Sequence, residues 1–245
     1  SPPAPPAPPP LPPLLAGDCM VTGMNSDSPS NFAIVLLAPL GPGQSISATD
    51  DGWRTDVTPN AFRGYEQHGT YTATADVPAG TVLMKADFYV SFSSITLSTT
   101  SDQLIVYQGL RTNPTFICGL DNSGGYAYTS GCPGSSGGWH QSSCTYDSYS
   151  AYYSALPRGL TTGVDALAWV HRDNWAYAGM SIGGANALRL SIAQAANWLS
   201  SDTYTQSFIT SFTVQFDPPP EPPLPPAPPA APPSPPSPPS PPSPP

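Results

Sequence analysis

The sequence predicts an all-β fold: a β-sandwich-like domain with one short helix, flanked by polyproline II arms. Three observations predict it. Short apolar or alternating runs recur through the middle of the chain, turn-forming residues separate them, and the prolines crowd into the two ends. Of 36 prolines, nine lie in 1–13 and 19 in 218–245, leaving eight between. That division gives an N-terminal arm at 1–13, a globular domain at 14–217 and a C-terminal rod at 218–245. About 200 residues suffice for one sizeable core, and all-β domains commonly reach that length.

The N-terminal arm reads SPPAPPAPPPLPP. Proline fixes φ and removes a backbone donor, so neither helix nor central strand can form. Each residue before a proline is pushed to extended geometry as well. What remains is polyproline II. Strand-like runs follow at 18–24, 32–38, 45–49, 70–75, 81–86, 94–97, 103–107, 115–120, 166–170, 175–178 and 207–216. The last shows the clearest period of two, with Phe208, Thr210, Phe212, Val214 and Phe216 on one face. Turn chemistry separates the runs at Ser28-Pro29, Gly41-Pro42-Gly43, Asp51-Gly52, Pro78-Ala79-Gly80 and 122–125. Many short strands with frequent turns indicate a sandwich or barrel. One helix is expected over 185–199, with Ala187, Leu188, Ile192, Ala195 and Ala196 on its buried face.

The C-terminal rod ends in S-P-P repeats, whose period of three equals that of polyproline II. Ser234, Ser237, Ser240 and Ser243 therefore line one edge. At about 3.1 Å per residue the rod spans on the order of 85–90 Å.

Charge excludes some functions. Seven basic residues face 16 acidic ones, a net −9, so the clustered positive charge that nucleic acid or an anionic membrane requires is missing. No apolar run approaches the length of a transmembrane helix, so no membrane insertion is expected. Ser1 is taken as the start of a mature chain from which a secretory signal has been removed.

Cys19, Cys118, Cys132 and Cys144 form an even set without a C-x-x-C pair, in a Ser/Thr/Gly/Tyr-rich chain. Two disulfides in an oxidising compartment fit this better than zinc, whose ligands keep tighter spacing. Three connectivities are open. Cys132 and Cys144 flank one short Gly/Ser loop, and their closure leaves Cys19 for Cys118.

Candidate chemistry is sparse. Gly179-Met180-Ser181-Ile182-Gly183 matches G-x-S-x-G, but the elbow requires a strand-to-helix turn in a parallel sheet and a later His; none follows Ser181. His171, Arg172 and Asp173 read as a polar hairpin connection, and His68 and His140 as loop residues. Asp50, Asp51 and Asp56 could supply oxygen ligands to calcium, but the EF-hand pattern is absent and Asp-Gly reads as a hairpin turn. Asn113-Pro114-Thr115 is blocked for N-glycosylation by its proline, so sugars must be O-linked. No catalytic residue, cofactor or metal is expected.

Aromatics are the positive signal: 12 Tyr, eight Phe and five Trp, none in the proline arms. Aromatic grooves grip polyproline II. Tyr65, Trp139 and Tyr152 are candidate contacts for an arm, with Leu11 and Leu224 as apolar anchors on the rods.

The arms resemble those of the hydroxyproline-rich, extensin-like cell-wall and cell-surface glycoproteins of green algae and plants, on the strength of their P-P-S-P-P and P-P-x-P-P runs. The plan of a globular domain plus a proline rod is similar to pherophorin-type glycoproteins of volvocine algae. The segments GDCMVTGMNSDSPSNFAIVLLAPLGPGQSI, ATDDGW, TTSDQLIVYQG and ALAWVHRDNW resemble an uncharacterised β domain of secreted bacterial proteins. The first resemblance implies prolines hydroxylated and sugar-bearing. The candidates are Pro219, Pro220, Pro223, Pro226, Pro229, Pro233, Pro236, Pro239 and Pro242, with Ser234, Ser237 and Ser240 beside them. The expectation is a structural, non-enzymatic subunit of an extracellular fibre or wall, whose partners are copies of itself and O-linked glycans. A stalked carbohydrate-binding module is the alternative, and a hydrolase using Ser181 a third.

Overall fold

The computed structural model describes residues 9–55, 57–64, 66–90, 95–124, 138–139 and 154–215. The C-terminal rod, Cys132, Cys144, His140, Asp56, Tyr65 and Tyr152 lie outside the described residues.

The described residues are mostly β, 44% of them in strands and 8% helical. The strands are β1 (Cys19–Asn25), β2 (Asn31–Leu36), β3 (Ser45–Thr49), β4 (Trp53–Arg54), β5 (Ala61–Phe62), β6 (His68–Thr72), β7 (Val82–Met84), β8 (Gln103–Leu110), β9 (Asn113–Gly124), β10 (Ala166–Val170), β11 (Asn174–Tyr177), β12 (Ile182–Gly184), β13 (Trp198–Ser201) and β14 (Thr213–Gln215). Among the described residues there is one α-helix, α1, spanning Ala185–Ile192. One five-stranded sheet has the order β13-β11-β1-β2-β7 and a second the order β10-β9-β8-β3-β6. The first is antiparallel throughout. The second is antiparallel except at its edge, where β10 runs parallel to β9. Two-stranded ribbons join β4 to β5 and β12 to β14.

Burial follows from the two-residue period. In β8, Leu104 and Val106 belong to the main core, while Ile105 and Tyr107 belong to a second cluster with Trp53, Phe62 and Phe116. Successive side chains of a strand point to opposite faces, so β8 is covered on both sides and reads as a nearly continuous apolar run. The main core draws Met20, Ile34 and Leu36 from the first sheet, and Ile46, Ile117 and Leu120 from the second. Leu188 and Ile192, one helical turn apart on α1, close it from the side.

Cys19 in β1 and Cys118 in β9 form a disulfide that joins the two sheets, their Cα atoms 6.0 Å apart. This is the partner that closure of the Cys132–Cys144 loop leaves for Cys19.

Six expectations are corrected. The helix ends at Ile192 rather than 199, because Trp198 is drawn into β13 at the edge of the first sheet. Ala187, Ala195 and Ala196 are exposed; only Leu188 and Ile192 of the expected face are buried. Within the described residues the 207–216 run pairs only near its end, through a bridge from Ser211 to Thr81 and over β14. Its phenylalanines act by packing: the Phe208 ring lies so close to Gly23 that a Cβ there would fall 2.3 Å from it. No strand forms at 95–97. Finally, β10 and β11 belong to different sheets, so His171–Asp173 is a crossover and not a hairpin. Asp51-Gly52 is not a hairpin turn either, since β3 pairs with β6 and β8 while β4 pairs with β5.

The disulfide closes a separation of 99 residues, so most of its stabilisation comes from restricting the unfolded chain. Replacing Cys19 and Cys118 together by Ala is expected to cost about 2–5 kcal/mol in guanidinium denaturation. A change below about 0.5 kcal/mol, the usual range of neutral surface substitutions, would show that the two sheets need no such tie.

Candidate functional site

Two places on the domain combine geometry and chemistry beyond what packing requires. The first is the root of the N-terminal arm. Prolines donate no backbone hydrogen bond and the segment joins no helix or sheet, so its carbonyls are open acceptors. Two glutamines supply what the chain needs here. Gln44 Nε2 donates to the carbonyls of Leu11 (2.9 Å) and Pro12 (3.0 Å), while its Oε1 accepts the Gly41 N–H at 2.8 Å. Gln108 Oε1 accepts the Leu14 N–H at 2.9 Å, and its Nε2 donates to the Ser45 carbonyl at 3.1 Å. Leu14 is 2% exposed and part of the main core. Leu11 stays half-exposed, with its side chain about the position a Cβ on Gly41 would touch. A groove lined by Pro13, Gly43, Gln44, Ser45, Gln108, Gly109 and Thr115 runs beside this segment. The Gly17 N–H then donates to the Ile117 carbonyl at 2.8 Å, next to the disulfide.

The second place is a set of buried acids at the ends of β3 and β8. Asp50 and Asp51 follow β3, Glu66 precedes β6, and Asp102 precedes β8. Asp50 and Asp51 are both buried yet serve different groups. Asp51 accepts the Gly64 N–H (2.8 Å) and pairs with Arg111 (2.9 Å) and His68 (3.4 Å). His68 lies at the start of β6, not in a loop, and its Nδ1 is 2.8 Å from the Tyr107 hydroxyl. Asp50 instead lies with Glu66 and Asp102, one oxygen of each within 4.8 Å of the others. Thr96 N–H donates to Asp50 Oδ2 (2.9 Å) and Ser98 N–H to Asp102 Oδ2 (2.7 Å). The Asp102 Oδ1 accepts the Gln103 N–H at 2.8 Å.

Burial dominates the titration of these groups. It pushes Asp50 up to about 6 and Glu66 up to about 9, with the neighbouring carboxylates adding to both. Asp102 is held well above the usual carboxylate range by burial, then by the charges of Glu66 and Asp50. Asp121, opposite Gln103 on β9, is pushed up to about 7 by burial alone, against two hydrogen bonds from Ser123.

The other sequence candidates fall elsewhere. Trp139 is 6% exposed and packs in the second cluster, so its ring is core and not a surface for an arm. Trp53, Trp175 and Trp198 are buried too, and Trp169 is half-buried. Ser181 precedes β12, and its carbonyl accepts the Thr213 N–H; it is not at a strand-to-helix turn. β12 and β14 are parallel but form only a two-stranded ribbon. His171 Nε2 lies 3.1 Å from the Thr99 carbonyl and 3.7 Å from Asp173, and Arg172 pairs with Asp202 at 3.3 Å. Sequence reasoning missed Gln44, Gln108, Glu66, Asp102 and Asp121. Gln44, Gln108 and Asp102 stood within segments singled out beforehand, the one ending GPGQSI and TTSDQLIVYQG, but for no role of their own.

Two outcomes are expected. Gln44→Ala removes both donors to the arm, and hydrogen exchange at the Leu14 amide should accelerate about tenfold, the equivalent of 1.4 kcal/mol of local stability. Unchanged exchange would mean that Gln108 and the burial of Leu14 hold the segment without Gln44. The buried acids bind protons more tightly folded than unfolded, so stability falls as pH rises from about 4 through about 9. In chelator-containing buffer, denaturation free energy should be greater at pH 5 than at pH 8.5, by on the order of a few kcal/mol. The opposite slope would place these carboxyls outside the buried interior. No known protein family, curated protein or solved structure matches the chain.

Proposed function

We propose that the chain is a structural subunit of a secreted, extracellular glycoprotein fibre or wall, assembling with copies of itself through polyproline II arms. The observation that carries this reading is the seated arm root. A proline-rich segment ends in Leu14 inside the core, its carbonyls taken by Gln44, a few residues before a strand stapled to the other sheet by Cys19–Cys118. Such an arm is fixed to the domain rather than tethered by a flexible joint, as a load-bearing subunit requires. On this reading the two sheets are the layers of a sandwich and 218–245 is the second rod, hydroxylated and O-glycosylated. A rod on the order of 85–90 Å outreaches a domain of about 35–45 Å, so it can meet a neighbour. Head-to-tail contacts that do not close give an open filament.

The domain is read as non-catalytic, in line with the placement of Ser181 away from any strand-to-helix elbow. The carbohydrate-binding alternative needs exposed aromatic platforms. Among the described residues Tyr89 and Tyr204 are strongly exposed, but they stand singly and four of the five tryptophans are buried. The structural reading is therefore preferred.

The test is truncation after Asp217. Full-length modified protein is expected to form filaments by electron microscopy, and the truncated chain to sediment as a discrete particle. Native-like filaments from the truncated chain would rule the mechanism out.

A further inference from the structure

The Asp50–Glu66–Asp102 set has a property that clustering alone does not give. Asp50 Oδ1 and Glu66 Oε2 are buried oxygens with no hydrogen-bond partner, and Asp50 is only 2% exposed. A buried polar atom without a partner is costly and rare in folded proteins. Here the partnerless oxygen of Asp50 belongs to a group held with two further carboxyls, an oxygen of each within 4.8 Å.

The surrounding chain fixes these groups in place. Main-chain amides of Thr96, Ser98 and Gln103 orient Asp50 and Asp102, as second partners orient the ligands of a metal. Asp51, next in sequence, is already engaged by Arg111, His68 and the Gly64 N–H. Arg63 attracts Glu66, and Lys85 feels Asp50, but both effects are smaller than burial.

We propose that this cluster binds a divalent hard cation, calcium, with Asp50, Glu66 and Asp102 as its carboxylate ligands. An all-oxygen donor set without His or Cys suits calcium or magnesium rather than zinc or copper. Three carboxylates converging directly favour calcium, since magnesium keeps several of its waters and is usually held by one or two carboxylates. The ligands come from the ends of β3 and β8 and the entry to β6, neighbouring strands of the second sheet, so the ion ties together segments distant in sequence.

The test uses the full-length chain, stripped with chelator and titrated with calcium chloride under calorimetry, with melting measured in parallel. One calcium per chain is expected, with an affinity in the range of extracellular modules. At about 10 mM calcium the melting midpoint should rise by about 3–6 °C. Glu66→Gln keeps shape while removing one ligand charge. It should bind calcium at least tenfold more weakly, yet melt in chelator at or above the wild-type temperature, because it removes a buried acid. Asp50→Asn should show the same loss of calcium response. The proposal is overturned by the absence of heat and melting shift up to 10 mM, or by binding retained in both variants. A response to magnesium alone overturns it too, as does a Glu66→Gln variant that melts well below wild type in chelator.

Discussion

The bond between Cys19 and Cys118 is the constraint on which the rest of the structure depends. It joins the centre of one five-stranded sheet to the second sheet across the main core. Both cysteines are fully buried among Met20, Leu36, Val106 and Ile117, so the covalent tie and the apolar packing reinforce one another. The arm root is coupled to the same point. Leu14 enters the core shortly before Cys19, and the Gly17 N–H bonds to the carbonyl of Ile117, the residue before Cys118. Tension on the N-terminal arm passes first to the Gln44 and Gln108 side chains, then to Leu14, then to the cross-linked pair of sheets.

The polar end of the second sheet is the counterweight. Asp50, Asp102 and Asp121 are buried, and burial raises all three above the ordinary carboxylate range. Most proteins gain from ionised, hydrogen-bonded carboxylates near neutrality and lose stability in acid. This domain has the reverse arrangement at its acid centre, where neutral forms are preferred unless a counter-charge enters. Asp51 has its cation built in through Arg111, while Glu66 is attracted by Arg63 less strongly than burial opposes its charge. The net −9 of the chain makes cations from solution the natural complement.

Much of the fold was legible because β1, β2, β3, β8 and β9 carry apolar residues that core packing needs wherever the strands pair. The 207–216 run misled because Phe208 fills space against Gly23 without a paired backbone, while Phe212 stacks on Tyr177 from a single backbone bond to Gly80 rather than a strand ladder. Helical periodicity overshot at 193–199 because Trp198 does more for the core as an edge-strand residue than as another helical turn. The acid centre was half legible. Asp50 and Asp51 were noticed, but an Asp-Gly pair also encodes a turn, and nothing local links Asp50 to Glu66 and Asp102. Pairing of that kind is set by tertiary register, which residue spacing does not carry. Trp139 shows the same limit from the other side: a tryptophan in a Gly/Ser-rich stretch reads as exposed, yet it lies against Gly119 of β9.

The central claim is that a disulfide-braced β domain is carried by sugar-coated proline rods outside the cell. Peptide mass spectrometry of the protein from its native source addresses it most directly, since one digest reports the rods and the cross-link together. The account predicts hydroxyproline and pentose or hexose additions across 218–245, and a Cys19–Cys118 linked peptide. Rod peptides at their unmodified masses, or Cys19 and Cys118 recovered as free thiols, would contradict it.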